Sequence, residues 1–563
     1  MKKNNIIKII IILTIILSIT IIYFINIKNK DNKPKENNNI KDTTQLDTKI
    51  NIDNGDEKID WDSLKKETIN LNNKSLTITE AGIYTINGKI NNGNITIDTI
   101  GNIKLILNNI SIKNNNGPAI IIENANTTVI ELKDKTTNTL EDGKEYENNE
   151  YDGCLFSKDD LVIEGLGKLK IKSNYLDGIV SNDDLKIING NITIDSNDDG
   201  IRGKDSVYIK DGSFKINSNG DGIKSTTDTD KEKGFIKIKN GTFTIESKKD
   251  AIQAETKLII DNGTFNIKTG NDNSSSLEVD SIKGLKAKDN IIISTATINI
   301  TSADDAIHSN KFVGIKSGTL NLSSNDDAIH TDTEIIIDDG TINIEDSYEG
   351  IEAEDITING GSITINTHDD GINISGGLDN TNMNIPPNEK HTPTSSTGIL
   401  TINNGTININ AEGDGIDVNG SIIINDGNLY IDGPTKGGNG ILDYDNTFNI
   451  NDGTLVAIGN RDMLQIPSKT SKNNTLIFFI KKNYTNEEIT LEDENGNIIV
   501  TYTPKKVYET IIISSKKIRE GNTYTLKIND KEITKLTVID TINANAEIKD
   551  QHQKPPKGPG PRK

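Results

Sequence analysis

Residues 302–331 read SADDAIHSNKFVGIKSGTLNLSSNDDAIHT, and the two ends of this stretch carry almost the same phrase. The acidic pair, Ala, Ile and His return in the same order, so that Ala306 and Ala328 stand 22 residues apart. Two apolar runs separated by a turn at Gly318 lie between the copies. Because repetition at a fixed period decides the architecture of a chain, this stretch indicates the fold class before any single residue does.

The period extends over most of the chain in two separate series of small residues. The first series, in which Ile or Leu always follows, comprises Gly178, Gly200, Gly222, Ala251, Gly284, Ala306, Ala328, Gly350, Gly371, Gly415 and Gly440. The second series, in turns that precede alternating apolar residues, comprises Gly190, Gly212, Gly241, Gly263, Ala296, Gly318, Gly340, Gly361, Gly405, Gly427 and Gly453. Two series that keep one period indicate a solenoid.

One rung of the repeat contains three short apolar segments. Residues 207–209 and 214–216 flank a turn, and a corner at 219–221 leads to a third segment at 222–224. Three short strands in about 22 residues predict an all-β fold, a parallel β-helix in which Ile stacks on Ile between rungs. The insertions at 226–233, 271–280, 376–397 and 434–439 all lie beside the third strand. Insertions in repeat proteins collect on one face, so we expect the third-strand face to bind the ligand.

Composition excludes several classes of protein. The net charge of −21 argues against nucleic acid, which needs a basic surface, and against an anionic polymer unless a cation mediates. Aromatic residues make up only 4% of the chain, which suits stacked Ile rather than a conventional globular core. Cys154 is the only cysteine, so an intrachain disulfide is excluded.

The chain divides into six predicted segments. Residues 1–30 are expected to form a signal anchor, because the apolar run 9–25 follows three lysines and shows no small-residue cleavage site. An uncleaved anchor predicts a single-pass protein of the cell membrane with its body outside, and cleavage would make it secreted. The remaining segments are a flexible linker at 31–60, N-terminal rungs and cap at 61–153, the regular β-helix at 154–470, a small C-terminal β domain at 471–541 and a disordered tail at 542–563.

Acidic residues precede the small residue of the first series in most rungs. Stacked strands bring equivalent residues to about 4.8 Å, where carboxylates repel unless a cation lies between them. Calcium, an oxygen-binding cation, is the predicted cofactor. The predicted ligands are Asp198, Asp199, Asp221, Asp304, Asp305, Asp326, Asp327, Asp369, Asp370 and Asp414. The alternative is that these residues only turn the corner, since Asp before Gly is ordinary turn chemistry.

The residue after each first-series Ile or Leu forms a second column, which strand alternation points outward. Arg202, Lys224, His308 and His330 are its candidates for carbohydrate contact. The alternative is a solvent-facing row without a role. A lyase would use calcium to acidify a uronate and a basic residue to take the proton, but the varied chemistry of this column singles out no base.

A succession of short motifs resembles a bacterial family of secreted carbohydrate-binding proteins over about residues 61–539. The motifs are SKDDL at 157–161, GLG at 165–167, DGI at 177–179, DGI at 199–201, DGIK at 221–224 and DGIDVNG at 414–420. The resemblance implies a right-handed parallel β-helix like that of pectate lyases. It also implies calcium and binding to acidic or plant-type polysaccharide, without established catalysis.

These observations predict a membrane-anchored, cell-surface protein that binds acidic or plant-type polysaccharide with calcium and does not act as an enzyme. The expected partners are the polysaccharide and the membrane, with no nucleic acid. A calcium-dependent polysaccharide (pectate) lyase on the same fold is the first alternative. A surface spacer or adhesin with a protein partner is the second.

Overall fold

The computed structural model describes residues 41–43, 50, 52, 54–270, 281–375 and 397–548. Their regular structure is β-strand, apart from two short 3-10 helices at Asp56–Lys58 and Trp61–Ser63. Each regular rung supplies one strand to each of three columns, and equivalent strands of successive rungs pair in parallel. The prediction of an all-β fold with parallel sheets is confirmed, and the handedness of the coil stays a prediction.

The first and second columns belong to one large sheet. The first column contains Lys66–Asn72, Gly82–Ile90, Asn102–Lys113, Thr127–Leu132, Leu161–Gly165, Asp184–Ile187, Ser206–Ile209, Phe235–Ile238, Lys257–Ile260, Asn290–Ile293, Phe312–Ile315, Glu334–Ile337, Asp355–Ile358, Gly398–Ile402, Gly420–Ile424 and Phe448–Ile450. The second contains Thr137–Glu141, Lys168–Lys172, Asn191–Ser196, Ser213–Ser218, Thr242–Ser247, Thr264–Thr269, Thr297–Ser302, Thr319–Ser324, Thr341–Asp346, Ser362–Thr367, Thr406–Ala411, Asn428–Asp432 and Thr454–Gly459. The long strand Asn102–Lys113 spans both columns, since its halves pair with different strands of the next rung.

The third column forms a separate parallel sheet and carries the candidate site. It contains Leu76–Ile78, Ile95–Asp98, Ile120–Asn124, Gly153–Ser157, Asp177–Ser181, Ile201–Gly203, Ile223–Ser225, Ile252–Ala254, Leu285–Ala287, Ile307–Ser309, Ile329–Thr331, Ile351–Glu352, Ile372–Ile374, Ile416–Val418 and Leu442–Tyr444. Most of these strands have three residues, so each rung presents one central side chain on the outer face of the sheet.

The core consists of rows of identical or similar side chains stacked along the coil. Ile residues of all three columns form one buried cluster. Phe214, Phe243 and Phe265 continue one row of the second column, with ring centroids 4.7 and 4.6 Å apart and nearly parallel planes. Parallel pairing in register places equivalent side chains one strand spacing apart, which suits stacked rings and branched aliphatic side chains equally.

The two series of small residues have different physical causes. In the first series, a Cβ atom on Gly200 would lie 2.5 Å from the carbonyl oxygen of Gly222 in the next rung, so close packing excludes a larger side chain. In the second series, Gly212 and Gly340 have φ angles of 142° and 121°, a region that side chains rarely adopt. The period in the sequence therefore records one steric and one conformational requirement.

The C-terminal strands depart from parallel pairing. The last second-column strand, Thr454–Gly459, pairs antiparallel with Tyr508–Ser515, which pairs antiparallel with Asn474–Tyr484. Ile542–Ala544 then pairs in parallel with Asn474–Tyr484. A separate antiparallel sheet comprises Ile498–Tyr502, Ile489–Glu492, Thr523–Ile528 and Lys531–Thr537. These strands cover the open edge of the last rung, which would otherwise expose unpaired backbone groups.

Residues in the predicted linker contact the outer face of the first column. The buried Thr43 donates its backbone N–H to Asp338 Oδ2 at 3.2 Å. Lys186 donates to Asp56 Oδ1 at 2.7 Å. Ile50 packs against a buried apolar cluster of Ile259, Ile292, Phe312 and Ile336. Apolar residues on the outer face of this column thus gain a cover from the segment that composition alone predicts to be flexible.

Some predicted features fall outside the described residues. The apolar run 9–25 and the insertion 271–280 do so completely, and the insertion at 376–397 does so up to residue 396. The described part of the chain contains no helix with the length and apolar character needed to span a bilayer.

Candidate functional site

The third column presents two rows of polar side chains side by side. The outward row, one residue per rung, comprises Arg202, Lys224, Gln253, Lys286, His308, His330, Glu352, Asn373, Asp417 and Asp443. The acidic ladder, at the preceding corner, comprises Asp177, Asp199, Asp221, Asp250, Asp305, Asp327, Glu349, Asp370 and Asp414. The repeat in the sequence predicts each row. The structure additionally shows the contacts between the side chains of the two rows.

One carboxylate oxygen in many steps of the ladder accepts a backbone hydrogen bond from the next rung. The N–H of Asp199 donates to Asp177 Oδ1 at 3.0 Å, and that of Asp221 donates to Asp199 Oδ1 at 2.7 Å. The same bond recurs from the N–H of Asp414 to Asp370 Oδ1 at 2.6 Å. The corner-turning role therefore explains one oxygen of each such carboxylate, which accepts a backbone N–H. The second oxygen of the same carboxylate remains available to a cation.

In the N-terminal half of the ladder, the second oxygen meets a side-chain cation of the outward row. Arg202 Nε lies 2.7 Å from Asp177 Oδ2, and a guanidinium nitrogen also contacts Asp152. Lys224 Nζ lies 2.6 Å from Asp221 Oδ2 and 3.4 Å from Asp199 Oδ2. The two cations predicted to contact carbohydrate are thus held by carboxylates of the protein, which neutralise most of their charge.

Burial governs the protonation of these paired carboxylates. It raises the pKa of Asp177 to about 7, although the Arg202 guanidinium acts in the opposite direction. It also raises the pKa of Asp221 to about 7, assisted by Asp250 and Asp199 and opposed by Lys224. The ion pairs thus offset the cost of burying several carboxylates close together rather than adding a large surplus of stability.

We expect Arg202→Met to lower the free energy of unfolding by about 3 kcal/mol at pH 8, because Asp177 is then left buried without its partner. The loss should shrink at pH 5, where Asp177 can take up a proton. Denaturant unfolding at the two pH values measures the difference. Arg461→Met, at a position outside the third column, is the charge-matched control, and an equal loss at both pH values would contradict the pairing.

The middle of the column contains a buried cluster of lysine, aspartate and histidine. Lys283 takes the ladder position in its rung and lies 2.9 Å from Asp304 Oδ1 and 2.6 Å from Asp305 Oδ2. His308 Nδ1 is 2.8 Å from the same Asp305 oxygen. His308 and His330 point away from the apolar core but are only 6% and 2% exposed. Their burial differs from the solvent-facing position that strand alternation predicts for this row.

The charge of this cluster is balanced at Asp305. Burial acts to raise the pKa of the Asp305 carboxyl, but Lys283 and the imidazoles of His308 and His330 hold it well below its usual range. The imidazole rings of the two histidines meet edge to face with centroids 5.0 Å apart. A sugar hydroxyl would have to displace this packing to contact either ring.

The C-terminal part of the column contains carboxylates that have no lysine or arginine partner in the ranges that the structure describes. We call Glu349, Asp369, Asp370, Asp414 and Asp417 the acidic run. Burial raises the pKa of Glu349 and of Asp370 to about 8, of Asp417 to about 7 and of Asp414 to about 6, and neighbouring carboxylates add to each shift. In the part of the chain that the structure describes, no lysine or arginine pairs with these five residues. Such a group is a candidate for a bound divalent cation.

The structure groups the predicted metal ligands by rung. The ligand oxygens of Asp198 and Asp199 lie within 4.8 Å of that of Asp177, and those of Asp304, Asp305 and Asp326 form a similar group. Asp221 is engaged by Lys224, and Asp327 lies 3.2 Å from His330 Nδ1. Asp369, Asp370 and Asp414 belong to the acidic run. The calcium assignment stays a prediction.

Several residues of the site were not among the predicted metal ligands or carbohydrate contacts. Asp152 pairs with Arg202 of the outward row, and Lys283 pairs with Asp305 of the acidic ladder. Glu349, Glu352 and Asp417 supply carboxylates of the C-terminal part. The signal for Lys283 was present in the sequence, because it directly precedes Gly284 of the first series, where other rungs have Asp.

Comparison with known proteins places the chain among carbohydrate-binding proteins. It is 33% identical over 159 residues to a carbohydrate-binding domain-containing protein of Acetivibrio thermocellus, a match that covers 27% of this chain and 54% of that relative. A solved gadolinium derivative of a polysaccharide lyase-like protein from C. thermocellum is 30% identical, with a TM-score of 0.37, over 41% of this chain and 96% of that one. A family described as carbohydrate-binding domain-containing protein matches residues 72–328, 309–385 and 382–551. Since the family model matches most of the sequence, the chain belongs to the carbohydrate-binding domain-containing protein family.

Proposed function

We propose that this protein binds an acidic polysaccharide outside the cell through calcium held by the acidic run. The observation that carries the proposal is the group of buried and half-buried carboxylates of Glu349, Asp370, Asp414 and Asp417, which have no cationic side-chain partner among the described residues. The membership of the chain in a carbohydrate-binding family supplies the ligand class.

Charge explains why a cation is needed. The chain has a net charge of −21, and the cations of the outward row already pair with its own carboxylates. A uronate polymer approaching this face would meet repulsion that falls only if a cation neutralises both surfaces. Calcium accepts many oxygen ligands in flexible geometry, so it can bind protein carboxylates and uronate carboxylates together.

The N-terminal apolar run supports an extracellular location. Residues 9–25, preceded by lysines, have the composition of an export signal that remains as a membrane anchor. A β-helix held at the cell surface would present its third column to polysaccharide outside the cell. Cell fractionation tests this part, and recovery of the protein in the cytoplasm would contradict it.

Affinity electrophoresis of the full-length chain tests binding. We expect polygalacturonate in the gel to slow migration in the presence of calcium, with no retardation after chelation, because the cation links two anionic surfaces. A neutral glucan gel is the control for general retention by carbohydrate. Equal migration in all gels would contradict the proposal, and retardation that persists in chelator would exclude the calcium bridge.

A lyase on the same face is the second candidate function, and one observation favours it. Lys286 is a basic side chain of the outward row, 26% exposed, and its Nζ lies 3.2 Å from Asp250 Oδ2. We nevertheless expect no catalysis, since the Lys286 nitrogen that would have to reach the uronate is engaged by that carboxylate. Ultraviolet absorbance of unsaturated uronide products, measured on several uronans, decides between the two functions.

A further inference from the structure

A histidine stands where the paired half of the outward row meets the acidic run. His330 follows His308 and precedes Glu352 in the row, with each pair in direct register. His330 Nδ1 lies 3.2 Å from Asp327 Oδ2. The ligand atoms of Asp327, His330 and Glu352 lie within 4.8 Å of one another, so one imidazole nitrogen and two carboxylate oxygens face a common point.

Two buried polar atoms at this position have no hydrogen-bond partner. His330 Nε2 is one of them, and its nearest carboxylate oxygen, on Asp332, is 3.9 Å away. The other is Oδ1 of Asn373, which is 8% exposed and lies next to Glu352 in the row. Because the Asn373 amide nitrogen donates to Glu349 Oε2 at 2.7 Å, the free oxygen belongs to the same group of side chains. A buried polar atom without a partner is costly unless something else binds it.

The carboxylates here have fewer cationic partners than the carboxylate one rung earlier. Within the described residues, the ion pairs of Asp327 come from His330 alone, whereas Asp305 one rung earlier is paired with Lys283. Asp327 is only 5% exposed, and its ligand oxygen lies within 4.8 Å of that of Glu352. Two acids that approach one another in a buried site need a shared proton or a bound cation.

We propose that Asp327, His330 and Glu352 bind one divalent transition-metal ion of the zinc and manganese class, with the Asn373 amide oxygen as a further ligand. The donor set decides the metal, since an imidazole nitrogen suits first-row transition metals whereas calcium takes oxygen ligands.

The site would join three successive rungs of the third column. Its ligands come from the strands Ile329–Thr331, Ile351–Glu352 and Ile372–Ile374 and from the corner before the first of them. The inference does not depend on polysaccharide binding, because it concerns a different metal, its measurement needs no sugar, and none of its ligands belongs to the acidic run, although Asn373 contacts Glu349 of that run.

Zinc binding by the full-length chain, purified without a histidine tag and stripped with chelator, tests the inference. We expect one tight zinc site by isothermal titration that excess calcium does not displace. His330→Gln should weaken it by at least about tenfold, and Glu352→Gln should do likewise if the first variant fails to fold. His368→Gln, which alters an exposed histidine 2.9 Å from Asp346, should leave the affinity unchanged.

A second readout separates ligation from indirect effects. Cobalt bound in place of zinc should show visible absorption bands that change in His330→Gln and remain in His368→Gln. Absence of a tight zinc site in the unaltered chain, or equal zinc affinity in the unaltered chain and in both His330→Gln and Glu352→Gln, would overturn the inference. Displacement of zinc by calcium at similar concentration would overturn the choice of metal.

Discussion

Phe243→Ala should lower the free energy of unfolding by about 4 kcal/mol, because it removes the middle ring of a buried stack and leaves a cavity. Phe243 is fully buried, and its ring lies 4.7 Å from that of Phe214 and 4.6 Å from that of Phe265. Both neighbours are held in register by the second column and cannot move into the space without breaking strand pairing. The loss of unfolding free energy should therefore lie near the upper end of the range for large-to-small substitutions in protein cores.

Denaturant unfolding followed by circular dichroism measures this change. Leu166→Ala is the control, since Leu166 is 70% exposed and its truncation should change stability by no more than about 0.5 kcal/mol. In a solenoid each rung contacts only its neighbours, so hydrogen exchange should show the loss concentrated around 213–269. A change below about 1 kcal/mol would contradict the stacked core.

Stability in the presence of chelator should fall as the pH rises from about 4 to about 8. The carboxyls of Glu349 and Asp370 have pKa values near 8 in the folded chain, raised by burial, against about 4 in an unfolded chain. A raised acid pKa means that the folded state holds more protons, so stability is full below pH 4 and is lost through pH 8. With allowance for solvent screening, we expect a loss of about 2–4 kcal/mol from the acidic run.

Calcium should restore much of this loss at pH 8, because it replaces the protons as the neutralising charge. The double variant Asp370→Asn/Asp417→Asn should be more stable than the unaltered chain at pH 8 in chelator and should show a smaller pH slope. Asn at position 370 retains an oxygen that can accept the N–H of Asp414, so the corner is preserved. A stability that stays level or rises between pH 5 and pH 8 would contradict this assignment.

Thermal unfolding across the pH range measures the effect. The matched control is Asp211→Asn/Asp339→Asn, which removes the same charge at two turns between the first and second columns. In both turns the side chain accepts the N–H of the following glycine at 2.8 Å, a bond that Asn can also make. This control should leave the pH slope unchanged.

The rungs and their three strands could be predicted because each imposes a visible requirement on the sequence. Gly200 must be small to clear the next rung, Gly212 must adopt a positive φ, and inward positions must be apolar. These requirements recur about every 22 residues where no insertion intervenes, and they leave little freedom in the register of the strands. The C-terminal strands, which lack the period, were predicted only as a β domain, because their antiparallel pairing with Thr454–Gly459 leaves no repeat in the sequence.

The chemistry of the site was less predictable, because contacts between the two rows depend on how each corner bends over its strand. Alternation correctly directs Arg202 and Lys224 away from the core but does not reveal that corner carboxylates reach them. Likewise, nothing in the period shows that His330 is buried. The contacts of Thr43 and Ile50 also depend on an apolar outer surface that only the assembled column creates.

Affinity electrophoresis through polygalacturonate in calcium tests calcium-bridged binding by the third column most directly. It compares the unaltered chain with the variant Asp370→Asn/Asp417→Asn. We expect the unaltered chain and the control Asp211→Asn/Asp339→Asn to be retarded alike, and the acidic-run variant to migrate as if no polysaccharide were present. Circular dichroism of each variant confirms that it is folded. Equal retardation of all three proteins would contradict binding through the acidic run. Stronger retardation of the acidic-run variant would show that the carboxylates of the unaltered chain repel the polymer instead of binding it through calcium.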